Sequence, residues 1–426
     1  MTGGGRRRFD RLTQHLPGRR YWSRYRFCSG NTVRLFTAGE PYFAALTQRI
    51  DAAQREVALE TYIFCDDPAG RPVSDALIRA ASRGVHVRVI TDGVGTQRLP
   101  MFNDWQAAGI EHRIYNPHIF GRFGFSRTHR KLAVVDGEFA YCGGINVVDD
   151  YDQNGARLPY ARWDFAVELQ GPVVADVLEA IDVQWERIRI GHRPALAPPA
   201  VGGSTPQAAT ARFVRARSSA GTAASGRSSD MRAIAEPCIA FVARDNFVNR
   251  RAIERAYLTA IGQARSEVLL ANPYFMPGRK LRRALMLAAQ RGVDVRLVIG
   301  RKEFAVLDYA VPFLYRQLLK SGVKIAEYEK TMLHGKVAVV DSNWGTVGSS
   351  NLDALSLMLN NEANVVLVLH PEIDQLRDAI LAAFDESRRI DEKHYESRPA
   401  GERLLNWVAY NTYRLAMKLL TVGGYD

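Results

Sequence analysis

"THRKLAVVDG", residues 128–137, places a histidine and a lysine two positions apart at the head of an apolar run, which Asp136 closes. Side chains alternate across a β-strand, so His129 and Lys131 read as neighbours on one face. The β-branched Val134 and Val135 favour strand over helix. A single pair of this kind is ordinary, because a satisfied core histidine beside a lysine with a buried stem looks the same. The stretch decides the fold because it comes twice. "HRKLAVVDGEFAYCGGIN" (129–146) returns as "HGKVAVVDSNWGTVGSSN" (334–351).

The duplication extends outward. "REVALETYIF" (55–64) answers "SEVLLANPYF" (266–275), and "ALIRAASRGVHVRVITDG" (76–93) answers "ALMLAAQRGVDVRLVIGR" (284–301). Each reads as a helix, a glycine stop and a buried strand. Strands alternating with helices predict βαβ units, and hence an α/β fold of two similar lobes, each a mixed, mostly parallel sheet flanked by helices. The lobes are placed at 31–190 and 237–390. A basic, aromatic segment (1–30) precedes them and an amphipathic helix (391–426) follows. Ala, Pro, Gly, Ser and Arg dominate 191–236, which reads as a linker or as a lid over the site.

Composition narrows the class. Of 426 residues 47% are hydrophobic and 24% charged, which supplies core for two lobes. The net charge of +12 points to a polyanionic partner, a nucleic acid or an anionic membrane. Cys28, Cys65, Cys142 and Cys238 form no CxxC pair, which argues against a zinc site or a disulfide framework. No leader peptide and no run of about 18 apolar residues is visible, so a soluble or peripheral protein is expected.

Both halves thus carry His-x-Lys-x-x-x-x-Asp: His129, Lys131, Asp136 and His334, Lys336, Asp341. Asn146 and Asn351 each follow their histidine by the same interval, behind small residues that permit close backbone approach to a bound group. Asp164 and Glu362 stand at polar entries into later strands and suit the fixing of a histidine tautomer. Such a set fits a phosphodiester, which needs a nucleophile on one side of phosphorus, an acid on the other and cations between. A ring with an ordinary pKa near 6.5 serves either role, and a covalent phosphohistidine opens the intermediate to an acceptor other than water. No HExxH or carboxylate-rich cluster appears, so no cofactor or metal is expected.

The paired motifs with GGxN or GSxN behind them resemble the phospholipase D superfamily, over roughly residues 31 to 390. Within it the wording is similar to the bacterial cardiolipin synthases, in their peripheral branch without N-terminal spanning helices. The resemblance implies two lobes about a pseudo-twofold axis with the site at their seam. It implies phosphatidyl transfer in which His129 attacks one phosphatidylglycerol and His334 releases glycerol, or the reverse assignment. Lys131, Lys336, Asn146 and Asn351 would hold the phosphoryl oxygens. Asp164 and Glu362 match the histidine-orienting acids. Asp136 and Asp341, although part of the catalytic motif, suit shaping the turn after the strand. A phospholipase D hydrolysing lipids to phosphatidic acid is the alternative, with a nuclease behind it.

Three segments favour an anionic membrane, containing phosphatidylglycerol and cardiolipin, over nucleic acid. "RRRFDRLTQHLPGRRYWSRYRF" (6–27) interleaves arginine with aromatics. "IFGRFGF" (119–125) sets aromatics just before the first motif. In "ERLLNWVAYNTYRLAMKLL" (402–420), Arg403, Asn406, Arg414 and Lys418 read as one polar stripe on an otherwise apolar helix. A peripheral position on the cytoplasmic face of the bacterial inner membrane is the corresponding expectation.

Overall fold

A computed structural model describes residues 25–118, 123–153, 155–190, 236–246, 249–301 and 305–420. Most of the basic N-terminal segment, residues 119–122 of the aromatic loop and 191–235 of the linker or lid lie outside the described residues.

The first lobe contains β1 (Thr32–Phe36), β2 (Glu56–Thr61), β3 (His86–Asp92), β4 (Glu111–Tyr115), β5 (Leu132–Val135), β6 (Phe139–Gly143), the small hairpin β7 (Asp152–Gln153) and β8 (Ala156–Arg157), and β9 (Ala166–Gln170). Its seven-stranded sheet runs β1-β9-β6-β5-β2-β3-β4. The second lobe contains β10 (Cys238–Arg244), β11 (Glu267–Asn272), β12 (Asp294–Gly300), β13 (Lys324–Tyr328), β14 (Val337–Val340), β15 (Trp344–Gly348), β16 (Glu362–Val368) and β17 (Arg388–Ile390). Its order, β10-β16-β15-β14-β11-β12-β13-β17, repeats the first with one strand added at the edge.

Both sheets are mixed, as expected, but parallel pairing is confined to β2–β3–β4 and β11–β12–β13. The remaining neighbours pair antiparallel. The cause lies in the motif itself. Asp136 and Gly137 have φ of 53° and 65°, and Asp341 and Ser342 both 53°. Two left-handed residues in succession make the tight turn that matches strand twist, so β5 folds back on β6 and β14 on β15.

The repeated helices follow from periodicity. Gly70–Ser82 buries Val73, Ala76, Leu77 and Ala80, and Arg279–Gln290 buries Leu281, Leu285 and Ala288. Gly84 (φ 88°) and Gly292 (φ 89°) end them in the left-handed conformation that costs glycine least. Each lobe has its own outer core, around Leu46, Leu77, Val89 and Trp105 in the first and Ile261, Leu285, Val295 and Trp344 in the second. A third core belongs to both. It joins Val134, Val167 and Leu169 to Val339, Val365 and Leu367 beneath the helices Val174–Ile190 and Glu372–Glu386. At about 1.5–3 kcal/mol per fully buried Val or Leu, this shared layer couples the folding of the two lobes.

At the seam each motif strays from its own sheet. His129 and Lys131 precede β5 rather than lying within it, as do His334 and Lys336 before β14. The segments instead bridge the other lobe, Thr128 with Asn361 and Leu333 with Trp163. The His129 amide donates to the Asn361 carbonyl at 2.9 Å, and the His334 amide to that of Trp163 at 2.9 Å. The exchange is reciprocal, as the expected pseudo-twofold requires.

The C-terminal segment forms short helix Glu392–Glu396 and long helix Ala400–Leu420. Asn406 leaves the predicted polar stripe. It is 2% exposed and lies on the face docked to the protein, because the helix seats its Asn406, Tyr410 and Met417 side inward.

Candidate active site

Each histidine is held by a carboxylate from the other lobe. His129 Nδ1 lies 3.1 Å from Glu362 Oε2 and 3.1 Å from the Ser349 carbonyl oxygen. His334 Nδ1 lies 2.6 Å from Asp164 Oδ2. Both acids are buried, while 12% of each imidazole side chain reaches solvent. A carboxylate at Nδ1 fixes the tautomer with the proton there, which leaves Nε2 as the nitrogen that meets phosphorus or a leaving oxygen.

The lysines are equally confined. Lys131 Nζ donates to the His129 carbonyl at 2.7 Å, and Lys336 Nζ to that of His334. Lys131 also stands 5.4 Å from the Tyr62 ring centre, and that ring lies 5.0 Å from His129. Burial pushes the Lys131 ammonium down to about 7, opposed by the charge of Glu362. Burial also lowers both imidazoles, His334 to about 3 against the pull of Asp164. Lys336 bears on His129 as well as His334, and Lys131 feels both Glu362 and Asp164. The six groups therefore form one electrostatic cluster drawn from two lobes. In their charged lysine and carboxylate forms they sum to zero, and both rings are held neutral.

Asn146 and Asn351 are buried. Asn146 Oδ1 accepts from the Ile63 amide at 3.3 Å, and Asn351 Oδ1 meets no donor among the described residues. The motif aspartates are not brought to the site. Asp136 sits past the far end of β5 and accepts from the amides of Gln54, Arg55 and Glu56 at 2.9, 2.8 and 3.0 Å. Asp341 does the same for Arg265, Ser266 and Glu267 at 2.8, 2.8 and 3.0 Å. Their grouping with the catalytic residues is corrected: each ties the turn to the start of the neighbouring strand. These amides hold the Asp136 carboxyl below its usual range. A depressed folded-state pKa contributes stability fully above the unfolded value, near 3.9, which is lost as pH falls through the lower folded value. Asp136→Ala is therefore expected to cost about 1–2 kcal/mol at pH 7, allowing for solvent screening. The gap from wild type narrows as pH falls below about 4, as thermal unfolding across that range would register.

Differences within the repeat mark residues that motif reading passed over. Where one half has Gly143–Gly144, the other has Gly348–Ser349. A Cβ on Gly144 would meet Asp164 Oδ1 at 2.2 Å, so the shorter acid takes the room a side chain would need. The Ser349 hydroxyl instead donates to Glu362. Tyr62 at the His129 ring has Pro273 as its counterpart. Arg244, 1% exposed, stands opposite Glu362 in the β10–β16 register and donates to the Asn360 carbonyl. Counting along the repeat places Ala38 there in the first lobe. Comparing the halves position by position would have found all three asymmetries.

Among the described residues no three His, Cys, Asp or Glu side chains converge as a metal-binding group. The arrangement can seat a phosphodiester anion between two lysines, with one ring on each side.

Comparison with known proteins agrees. Residues 46–177 and 257–383 match the family described as "Cardiolipin synthase, PLD-like domain". Cardiolipin synthase B of Escherichia coli strain K12 is 37% identical over 373 residues, 85% of this chain and 83% of that protein. A cardiolipin synthase of Geobacillus thermodenitrificans is 29% identical over 382 residues, 88% of this chain and 70% of that one. The crystal structure of a phosphatidylserine synthase from Haemophilus influenzae shares the fold, with a TM-score of 0.65, 13% identity and coverage of 97% of this chain and 99% of that one. Two matched halves, intact motifs and a relative 37% identical over most of both chains place this chain in the cardiolipin synthase family of the phospholipase D superfamily.

Proposed function

We propose that the chain joins two phosphatidylglycerol molecules into cardiolipin, with release of glycerol, through a phosphohistidine and without a metal. The observation that carries this reading is the crosswise pairing of each histidine with a buried acid. In the first step His129 Nε2 attacks phosphorus, the bond to the glycerol oxygen breaks, and His334 Nε2 gives that oxygen its proton. In the second step His334 takes the proton of a hydroxyl on another phosphatidylglycerol. That oxygen attacks phosphorus, the P–N bond breaks, and cardiolipin leaves. Lys131, Lys336, Asn146 and Asn351 hold the phosphoryl oxygens, and the two ammonium groups supply the charge stabilisation that the transition state requires. The enzyme acts peripherally on the cytoplasmic face of the bacterial membrane.

Charge bookkeeping gives the acid its proton. With both lysines charged and both rings neutral the unliganded cluster sums to zero, so a diester anion brings one negative charge and raises the affinity of His334 for a proton. Binding of a short-chain phosphonate analogue at pH 6, below the value of about 7 to which burial pushes Lys131, is therefore expected to take up about one proton per site. Calorimetry in buffers of different ionisation heat measures it. Binding without proton uptake would contradict the assignment.

The deciding experiment incubates the purified protein with phosphatidylglycerol vesicles in EDTA and separates the lipids by mass. Cardiolipin with free glycerol is the expected outcome. Phosphatidic acid alone would mean a hydrolase, and cleavage of nucleic acid without lipid turnover would mean a nuclease.

A further inference from the structure

We infer that the outer face of the helix Ala400–Leu420 docks on an anionic lipid bilayer and seats the mouth of the active site against it. This rests on the lipid reading above and names the surface that meets the lipid.

The helix has 21 residues, about 31 Å at 1.5 Å per residue. Asn406, Tyr410, Tyr413 and Met417, spaced four, three and four apart, line one side and face the protein. Tyr410 stacks on Phe313 with ring centres 4.6 Å apart, and its hydroxyl accepts from Arg282 at 3.1 Å. Tyr413 and Met417 pack with Ala354 and Met358 on the short helix Ala354–Met358, which begins three residues after Asn351. The helix is thus fastened to an element that leaves the catalytic floor.

The opposite side is apolar and uncovered. At 100° per residue Leu404, Val408, Leu415 and Leu419 fall within a sector of about 60°. They are 61%, 45%, 60% and 73% exposed, and Leu405 and Trp407 widen the row on its two sides. Single exposed leucines are ordinary, but a contiguous row marks an interaction surface. Arg403, Arg414 and Lys418 share the edge on the Trp407 side. Leu355 on the short helix and Tyr309 on the adjoining helix Ala305–Ala310 are exposed as well. Long cations beside an apolar row keep their heads at phosphate level while the row sinks among acyl chains. A second copy is a poorer occupant, since two chains of +12 would set cationic edges against each other. Among the described residues no helix is long and apolar enough to cross a membrane.

The test uses the full chain and a variant combining Leu404→Ser, Val408→Ser, Leu415→Ser and Leu419→Ser, whose thermal unfolding should match wild type because all four side chains are exposed. Both are sedimented with vesicles of phosphatidylglycerol and phosphatidylcholine and with phosphatidylcholine alone. Both are also assayed on dibutyryl phosphatidylglycerol dissolved as monomers. The expected result is a partition onto anionic vesicles at least roughly tenfold weaker in the variant, weakened in wild type by salt, with turnover of the monomeric lipid within about twofold of wild type. Equal partition of the two proteins would overturn the inference, as would wild-type binding indifferent to anionic lipid or a dimer in light scattering that the variant splits. Wild type that binds the vesicles through this row yet turns over neither lipid would uphold the docking surface and refute the proposed reaction.

Discussion

His334→Ala loses about 10²–10⁴-fold of turnover on phosphatidylglycerol but still releases one burst of p-nitrophenolate per site from a p-nitrophenyl phosphodiester, its second step remaining slow for want of the base. The reason is the leaving group. Glycerol departs as an alkoxide and needs a proton in the transition state, which is worth about that factor. p-Nitrophenolate is stable unprotonated and needs none. His129→Ala, by contrast, removes the nucleophile and loses on the order of 10⁶-fold on either substrate, the scale seen when a covalent mechanism loses its attacking group. Quenching wild type in acid-free conditions during turnover should trap phosphatidyl on His129, and mass spectrometry would locate it. A burst from His129→Ala rather than His334→Ala on the activated substrate would reverse the two roles. A burst from neither would remove the acid from the mechanism.

Glu362→Gln changes the titration of His129, and Asp164→Asn that of His334, with turnover falling up to about 10⁴-fold in each, as when a histidine loses the carboxylate that sets its tautomer. The sign is fixed by the charges. Glu362 favours the protonated form of His129, and Asp164 that of His334, so loss of either acid lowers its partner ring still further. Ring resonances in NMR would report each histidine separately. Pairing inside each lobe would give the opposite correlation, His129 responding to Asp164. The amides retain size and one acceptor, which limits the penalty of leaving a buried ring unpaired.

Much of this centre is legible in the chain because its chemistry is local. A histidine, a lysine and an asparagine at fixed offsets need no tertiary knowledge to be found, and their recurrence identifies two lobes and one site. Partnership between the lobes is not local. Asp164 follows His129 and Glu362 follows His334, so sequence order suggests neighbours within a half. The bridges Thr128–Asn361 and Leu333–Trp163 reverse that assignment. The motif aspartates, spaced alike from the two histidines, sit one strand length away and bind backbone amides, which is the turn-shaping role expected of them although they share the catalytic motif. Asn406 shows a limit of helical periodicity, which gives the angle of a residue but not which angle meets the protein. The minority of parallel pairings follows from two left-handed turns, of which one uses Ser342 where glycine would have signalled it.

Glu362 is the 233rd residue after the histidine it serves, and Asp164 is 170 before its own. A ribosome that has released the entire first lobe has therefore made no competent His129, and a protease that severs the lobes leaves each with half of two incomplete dyads. Synthesis in such a chain is silent until its last third has emerged and closed on the first. A phospholipid-cutting activity beside its own membrane is thereby withheld from every fragment and licensed only by completion.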